Sequence, residues 1–224
     1  MILGLNKYDD ISRLLRDIET EYHYTCGLTG KAALNERVRE ALRQVPRHAF
    51  VPSAMKPFAY DNNPLPIGHG QTISQPYIVA LMSDLLETQE DHVVLEIGTG
   101  CGYQAAVLSR LVSKVYTIEI IPTLGNEANE RLQRLGYTNI EMRIGDGYNG
   151  WEEHAPFDGI IGTAAASDLP PPLLQQLKPG GRMVIPVGLP HARQDLILLV
   201  KEEDGSITER DILPVAFVPF IRSH

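Results

Sequence analysis

Apolar residues recur at helical spacing in two early stretches. Ile11, Leu14, Leu15, Ile18 and Tyr22 share one face of a helix expected over residues 8–22. Leu34, Val38, Ala41, Leu42 and Val45 mark a second helix, which Pro46 ends. Residues 46–76 break the periodicity. Prolines at 46, 52, 57, 64, 66 and 76 exclude long regular elements, yet Phe50, Val51, Phe58, Tyr60, Leu65 and Ile67 supply anchors. The stretch reads as ordered but irregular, a type of segment that more often carries function than core. A helix follows, with Ile78, Leu81, Met82, Leu85 and Leu86 on one face. From residue 92 the pattern alternates. Strands are expected at 92–97, 114–118, 140–144, 157–163 and 182–187, with helices at 103–111, 124–135 and 173–177 between them. Near-continuous apolar strands separated by helices imply an α/β fold, a doubly wound and mostly parallel sheet covered on both faces. Residues 196–201 and 207–217 flank Glu203-Asp204-Gly205-Ser206, a hairpin turn, so the sheet should end in an antiparallel pair.

Composition narrows the function classes. The 224 residues suit one domain, 1–224, with 1–75 as a helical and irregular covering segment. The apolar start, Met1-Ile2-Leu3-Gly4-Leu5-Asn6, is too short for a signal sequence, and no stretch reaches membrane-span length. Cys26 and Cys101 lie far apart, which suits a reducing cytoplasm. The net charge is −8, whereas nucleic-acid binders need a basic stripe, so no nucleic-acid or membrane partner is expected. Arg37, Arg39, Arg43 and Arg47 run along one helical stretch and read as a solvated helix face. His48, His69 and His92 are isolated, and neither a metal site nor a nucleophile elbow is present in the sequence pattern.

The first chemical signal is Glu96-Ile97-Gly98-Thr99-Gly100-Cys101-Gly102, a strand running into a glycine turn before a helix. In a doubly wound sheet that turn lies at the carboxyl edge, where ligands bind. A dinucleotide fingerprint, G-x-G-x-x-G, would place its third glycine where Tyr103 stands. The spacing G-x-G-x-G after Glu96 instead resembles the first motif of class I, Rossmann-like methyltransferases. In these the loop wraps the methionine part of S-adenosyl-L-methionine. Glu119, at the end of the second strand, suits both ribose hydroxyls, and Asp146, in Gly145-Asp146-Gly147 after the third, suits an adenine amino group.

The acceptor is sought in the run Ala59-Tyr60-Asp61-Asn62-Asn63-Pro64-Leu65-Pro66-Ile67-Gly68-His69-Gly70-Gln71-Thr72-Ile73-Ser74-Gln75-Pro76. It closely resembles the protein-L-isoaspartate O-methyltransferase family. Arg47-His48-Ala49-Phe50-Val51-Pro52, Ala155-Pro156-Phe157-Asp158, Gly180-Gly181-Arg182 and Phe217-Val218-Pro219 resemble it too, so the likeness spans about residues 46–220. The resemblance implies methylation of the α-carboxylate of L-isoaspartyl residues in damaged proteins and peptides, leaving S-adenosyl-L-homocysteine. The ester then closes to a succinimide and reopens partly as aspartate. It assigns Ser74 as the catalytic residue. Thr72, Ile73, Glu96, Gly98, Thr99, Gly100, Gly102, Glu119, Asp146 and Gly147 fall to the cofactor. Phe217, Val218 and Pro219 fall to the substrate, and Asp61 is expected to fix the loop or Ser74.

Other readings stay open on the residues alone. Ser74 or Gln75 before Pro76 also looks like a helix cap. The acceptor of a related enzyme could be another peptide carboxylate, the chain could bind the cofactor without catalysis, and a dehydrogenase is disfavoured by Tyr103. The family pattern is departed from at Cys101, where serine is frequent, and at Pro122, while Gly125 weakens the helix after Glu119. Residues 1–30 match no motif, fitting either a sheet cap or a dimer contact, and the oligomeric state, monomer or weak homodimer, stays open.

Overall fold

The computed structural model describes residues 7–190 and 192–222. Two helices come first, α1 (Lys7–Thr29) and α2 (Glu36–Gln44). α1 runs about two turns beyond the apolar stripe that predicts it. Ile11, Leu14, Leu15, Ile18 and Tyr22 are buried, and the helix continues through more exposed residues to Thr29. α2 is capped by Asn35, whose side chain accepts from the Arg37 amide at 2.9 Å, a bond that satisfies one of the orphan donors of a helix start.

The proline-rich stretch is more regular than its sequence suggests. After two 3₁₀ turns it forms a small antiparallel hairpin, β1 (Leu65–Gly68) and β2 (Gln71–Ile73), with Leu65 opposite Ile73 and Pro66 opposite Thr72. The turn between them, Gly68-His69-Gly70, is left-handed throughout, with φ of 96°, 52° and 71°. Such a turn is poorly signalled, because His69 is neither Gly nor Asn. α3 (Pro76–Leu85) follows, with the proline in its first turn.

The remaining elements are β3 (Val93–Ile97), α4 (Tyr103–Leu108), β4 (Lys114–Glu119), α5 (Pro122–Arg134), β5 (Ile140–Ile144), β6 (Phe157–Gly162), α6 (Pro171–Gln175), β7 (Leu177–Gly188), β8 (Gln194–Lys201) and β9 (Ile207–Val215). Seven strands form one sheet in the order β5-β4-β3-β6-β7-β8-β9. The first five are parallel, and β8 and β9 are antiparallel to their neighbours, as expected. β7 begins before Lys178-Pro179-Gly180-Gly181 rather than after it. The chain moves outward from β3 to β5 and returns to place β6 on the other side of β3. The β3/β6 boundary is therefore the topological switch point.

Two apolar clusters cover the sheet faces. One joins α1, α2, α3 and α4 through Leu14, Ile18, Leu42, Leu81 and Leu108, and the other packs Phe157, Ile160, Leu173 and Ile185. Pro122 occupies the first turn of α5, where its missing amide costs nothing. Gly125, far from merely weakening α5, lets it approach β4 closely. A Cβ there would lie 2.4 Å from Ile144 Cδ1 and 3.1 Å from Glu119 Cβ.

The arginine row is only in part a solvated face: Arg37 and Arg43 are exposed, Arg39 is half-buried and Arg47 is buried. Arg37 donates to the carbonyls of Thr88 and Leu111, Arg39 pairs with Glu19 and Glu36, and Arg47 lies outside α2, fully buried. The long chain between α2 and α3 folds back over α4, so helical spacing carried past Pro46 loses its meaning. Among the described residues, no helix is long and apolar enough to cross a membrane.

Candidate active site

At the switch point, the turn after β3 meets the turn after β6. Gly98, Gly100 and Gly102 all have positive φ, 95°, 56° and 88°. Gly98 needs its missing side chain twice over. Its backbone is left-handed, and a Cβ would come within 2.4 Å of Thr163 Oγ1. That hydroxyl donates to the Gly98 carbonyl at 2.5 Å, locking the two turns together.

A shallow cleft opens over this junction. Its walls include Thr72 from the hairpin, Gly98, Gly100, Glu119, Gly147 and, from the C-terminal segment, Val218 and Pro219. Glu119 ends β4 and is buried, yet its carboxylate organises the glycine turn. One oxygen accepts from the Gly100 amide at 2.8 Å and the other from the Ile121 amide at 3.0 Å. A carboxylate offers about four lone-pair positions, so two remain for hydroxyl donors in the cleft.

Two further clefts adjoin the first. One, of about 330 Å³, is bounded by Ile73, Ser74, Thr99, Cys101 and Gln104. The other, an open groove of about 1260 Å³, runs past Ser74, Gln75, Tyr77 and Phe217. Thr72 and Thr163 line all three, so the clefts meet between these two threonines.

Ser74 sits between the second and third clefts without a structural duty for its hydroxyl. It does not cap α3, and neither does Gln75, the residue at the cap position. The capping oxygen comes from Asn62, whose Oδ1 accepts from the Tyr77 amide at 2.9 Å. Among the described residues Ser74 Oγ has no hydrogen-bond partner. Its backbone is held instead by Arg47, which donates from Nη2 to the Ser74 carbonyl at 2.7 Å and to the Asn63 carbonyl at 3.4 Å. The Arg47 guanidinium lies 4.8 Å from the Tyr103 ring centroid, and among the described residues its Nε and Nη1 have no hydrogen-bond partner. Burial lowers its pKa, an effect only partly offset by Tyr103 and Cys101. Neither Arg47 nor Asn62 stands out in the sequence as a support for Ser74, because each acts from a distant point in the chain.

Several other residues with expected roles lie outside the clefts. Glu96 is wholly buried beneath the glycine turn and accepts from Thr117 Oγ1 at 2.5 Å, within hydrogen-bond reach of Thr99 through the Thr117 hydroxyl. Burial pushes its carboxyl up to about 8. Gly102 starts α4 and is not a cleft residue. Asp146 accepts from the Tyr148 amide at 3.0 Å and faces Arg222 at 3.7 Å, so it is Gly147 that borders the first cleft. Asp61 pairs with Arg13 at 3.4 Å and touches none of the three clefts. The tie between its segment and α3 is made by Asn62 instead. Phe217 is anchored by Gln194, whose Oε1 accepts from its amide at 2.6 Å, and Pro219 bridges to Ala165 beyond β6. These contacts draw the C-terminal segment across the junction.

The comparisons decide what this arrangement belongs to. Residues 25–224 match the family model of protein-L-isoaspartate(D-aspartate) O-methyltransferases. The chain belongs to this family. A Polaromonas protein-L-isoaspartate O-methyltransferase 2 is 60% identical over 211 residues, covering 94% of this chain and 97% of that one. Its Syntrophobacter fumaroxidans namesake is 58% identical over 213 residues, covering 95% and 86%. Among solved structures, a protein-L-isoaspartate O-methyltransferase superposes with a TM-score of 0.81 at 28% identity, over 93% of this chain and 65% of that one. A Plasmodium falciparum structure assigned to the family and bound to S-adenosyl-L-homocysteine shares the fold, with a TM-score of 0.78 at 23% identity over 98% of this chain. The cofactor of the family is S-adenosyl-L-methionine, and the chain is a class I methyltransferase in fold. The first cleft fits that group: Gly98 and Gly100 of the glycine turn form part of its wall, and Glu119 keeps lone pairs for a ribose.

Proposed function

We propose that this chain methylates the α-carboxylate of L-isoaspartyl residues in damaged proteins and peptides, starting their repair through a succinimide. The observation that carries the reading is Ser74: a hydroxyl with no partner among the described residues, at the meeting of the clefts, on a backbone fixed by Arg47. Thr72, Ile73, Gly98, Thr99, Gly100, Glu119 and Gly147 form the cofactor side in this reading. Glu96, Gly102 and Asp146 support that side from behind, and Phe217, Val218 and Pro219 close the acceptor side. A reducing cytoplasm suits its two free cysteines.

When bound, S-adenosyl-L-methionine supplies a methyl group on a positively charged sulfur. The chain's own residues have the task of presenting an acceptor to it. A carboxylate of ordinary pKa, about 4, is already ionised at neutral pH, so no general base is required. Ser74 Oγ donates a hydrogen bond to one carboxylate oxygen and leaves the other free to react. Thr72 and Thr163 set the width of the opening, and Val218 excludes water from it. Alignment of this kind contributes ~7–11 kcal/mol in favourable cases.

The test is methyl transfer to paired peptides that differ only in an isoaspartyl or aspartyl linkage. Transfer to the isoaspartyl peptide alone is expected, and Ser74→Ala should lower turnover about tenfold, the worth of one hydrogen bond of ~1.4 kcal/mol, with cofactor affinity unchanged. Equal transfer to both peptides would refute the repair reading. Undiminished turnover in Ser74→Ala would remove the serine from the mechanism.

A further inference from the structure

The open groove beside Ser74 has an asymmetric charge. It is walled by the hairpin and α3 on one side and by residues 213–218 on the other, and α1 reaches into it through Glu21 and Thr25. Among its described lining residues, Glu21 alone carries a formal charge at neutral pH. No cation pairs with Glu21 among the described residues, although most acidic side chains near it in α1 and α2 have such partners: Asp10 with Arg13, Glu19 and Glu36 with Arg39, and Glu40 with Arg43. The neighbouring Thr25 is occupied: it donates to the Glu21 carbonyl at 2.7 Å and lies 2.6 Å from the Tyr77 hydroxyl. Tyr77 is shifted upward, by burial first and by the Glu21 charge in addition, which places that charge beside the groove wall.

The helix geometry extends this edge. Residues 21, 24, 25 and 28 fall at three- and four-residue spacing, so they share one flank of α1. Tyr24 and Leu28 on that flank are 77% and 60% exposed. The other flank, with Ile18 and Tyr22, is buried. An open groove with an apolar and acidic rim suits a stretch of polypeptide rather than a small molecule.

We propose that Glu21 is a specificity-determining residue that favours substrate polypeptides with a lysine or arginine next to the isoaspartyl residue and disfavours those with an acidic neighbour. The proposal rests on the repair reading above, since it concerns the same groove. It also gives the N-terminal helix a part in substrate selection, in place of a mere cap or dimer contact.

The test uses the full chain and isoaspartyl peptides with lysine or glutamate placed at each flanking position in turn. The readout is the ratio of KM values for the lysine and glutamate peptides within one variant at saturating cofactor, so any loss of folded protein cancels. For the wild type, a roughly two- to fivefold preference for lysine is expected at one flanking position, the range of a partly exposed ion pair. It should shrink at high salt. In Glu21→Gln the ratio should approach one, and in Glu21→Lys it should invert. A preference that persists in both variants, or a wild type that methylates isoaspartyl peptides without regard to charge, overturns the proposal alone. A wild type that methylates no isoaspartyl peptide overturns the repair reading and this proposal with it.

Discussion

The two sides of the site are built in opposite ways. The cofactor side comes from the ends of consecutive parallel strands. Gly98–Gly100 follow β3, Glu119 ends β4 and Gly147 follows β5, and each reaches the cleft because the sheet puts all carboxyl ends on one edge. The acceptor side has no such frame. It gathers α1, a hairpin of two very short strands, the start of α3 and the stretch after β9. Its key hydroxyl depends on Asn62 to relieve it of capping and on Arg47 to hold its carbonyl. A ligand that never changes can be bound by backbone and strand ends. A substrate met in many sequence contexts is held by a looser collection of side chains.

Three substitutions test that contrast. The largest effect is expected from Gly98→Ala on the cofactor side. The new Cβ meets Thr163 Oγ1 at 2.4 Å on a left-handed backbone, strain of about 1–3 kcal/mol before any contact with the cofactor. Calorimetry should show cofactor affinity falling by roughly a hundredfold or more. Near-normal binding would mean that the turn is not the cofactor cradle.

On the acceptor side, Arg47→Met separates stability from positioning. A buried cation with two unpartnered nitrogens is costly, and an apolar replacement of similar length is often neutral or stabilising. Denaturant unfolding should therefore stay within about 1 kcal/mol of wild type. Turnover should fall roughly tenfold with cofactor affinity preserved, because Ser74 loses the 2.7 Å bond that fixes its backbone. Equal losses of turnover and cofactor affinity would show that the two sides are not separable in this way.

The smallest effect concerns Glu96, beneath the glycine turn. Its carboxyl is pushed up to about 8 by burial, from 4.5. The folded protein thus holds a proton that the unfolded chain releases above about 4.5, so stability falls as pH rises from there to about 8. Glu96→Gln removes the titration. Its melting temperature should match wild type near pH 5 and exceed it by a few degrees at pH 8. A gap of the same size at both pH values would refute the buried, protonated state.

How much of this was legible beforehand follows the same division. Four of the five parallel strands match their apolar runs within a residue or two, because each is a short run bounded by a turn signal; β7 starts five residues before its apolar run, since Lys178-Pro179-Gly180-Gly181 reads as a helix stop. The hairpin at 65–73 was read as irregular, since two strands of four and three residues carry too few positions for alternation to register. For Ser74 the sequence allows both catalysis and capping, and Asn62 takes the capping role in the fold. Asp61 is the residue expected to fix the loop or Ser74, and only the folded chain shows that Asn62 reaches Tyr77 while Asp61 meets Arg13. By spacing Arg47 belongs with the solvated arginines of α2, a periodicity that the chain abandons at Pro46.

The parallel sheet, the glycine turn with its carboxylate partners, and the family motif around Ser74 are all written in the order of residues. These are local facts: a strand, a turn and the next helix lie within a few residues, and their chemistry repeats at each strand end. Only the tertiary structure decided that Ser74 Oγ is free, that Arg47 lies buried behind it, that Glu96 and Asp146 stand behind the cleft, and that α1 brings Glu21 to the groove. Each of those depends on residues far apart in the chain, from Asn62 and Tyr77, 15 positions apart, to Arg47 and Ser74, 27 apart, and spacing along the chain does not say which atoms packing brings together.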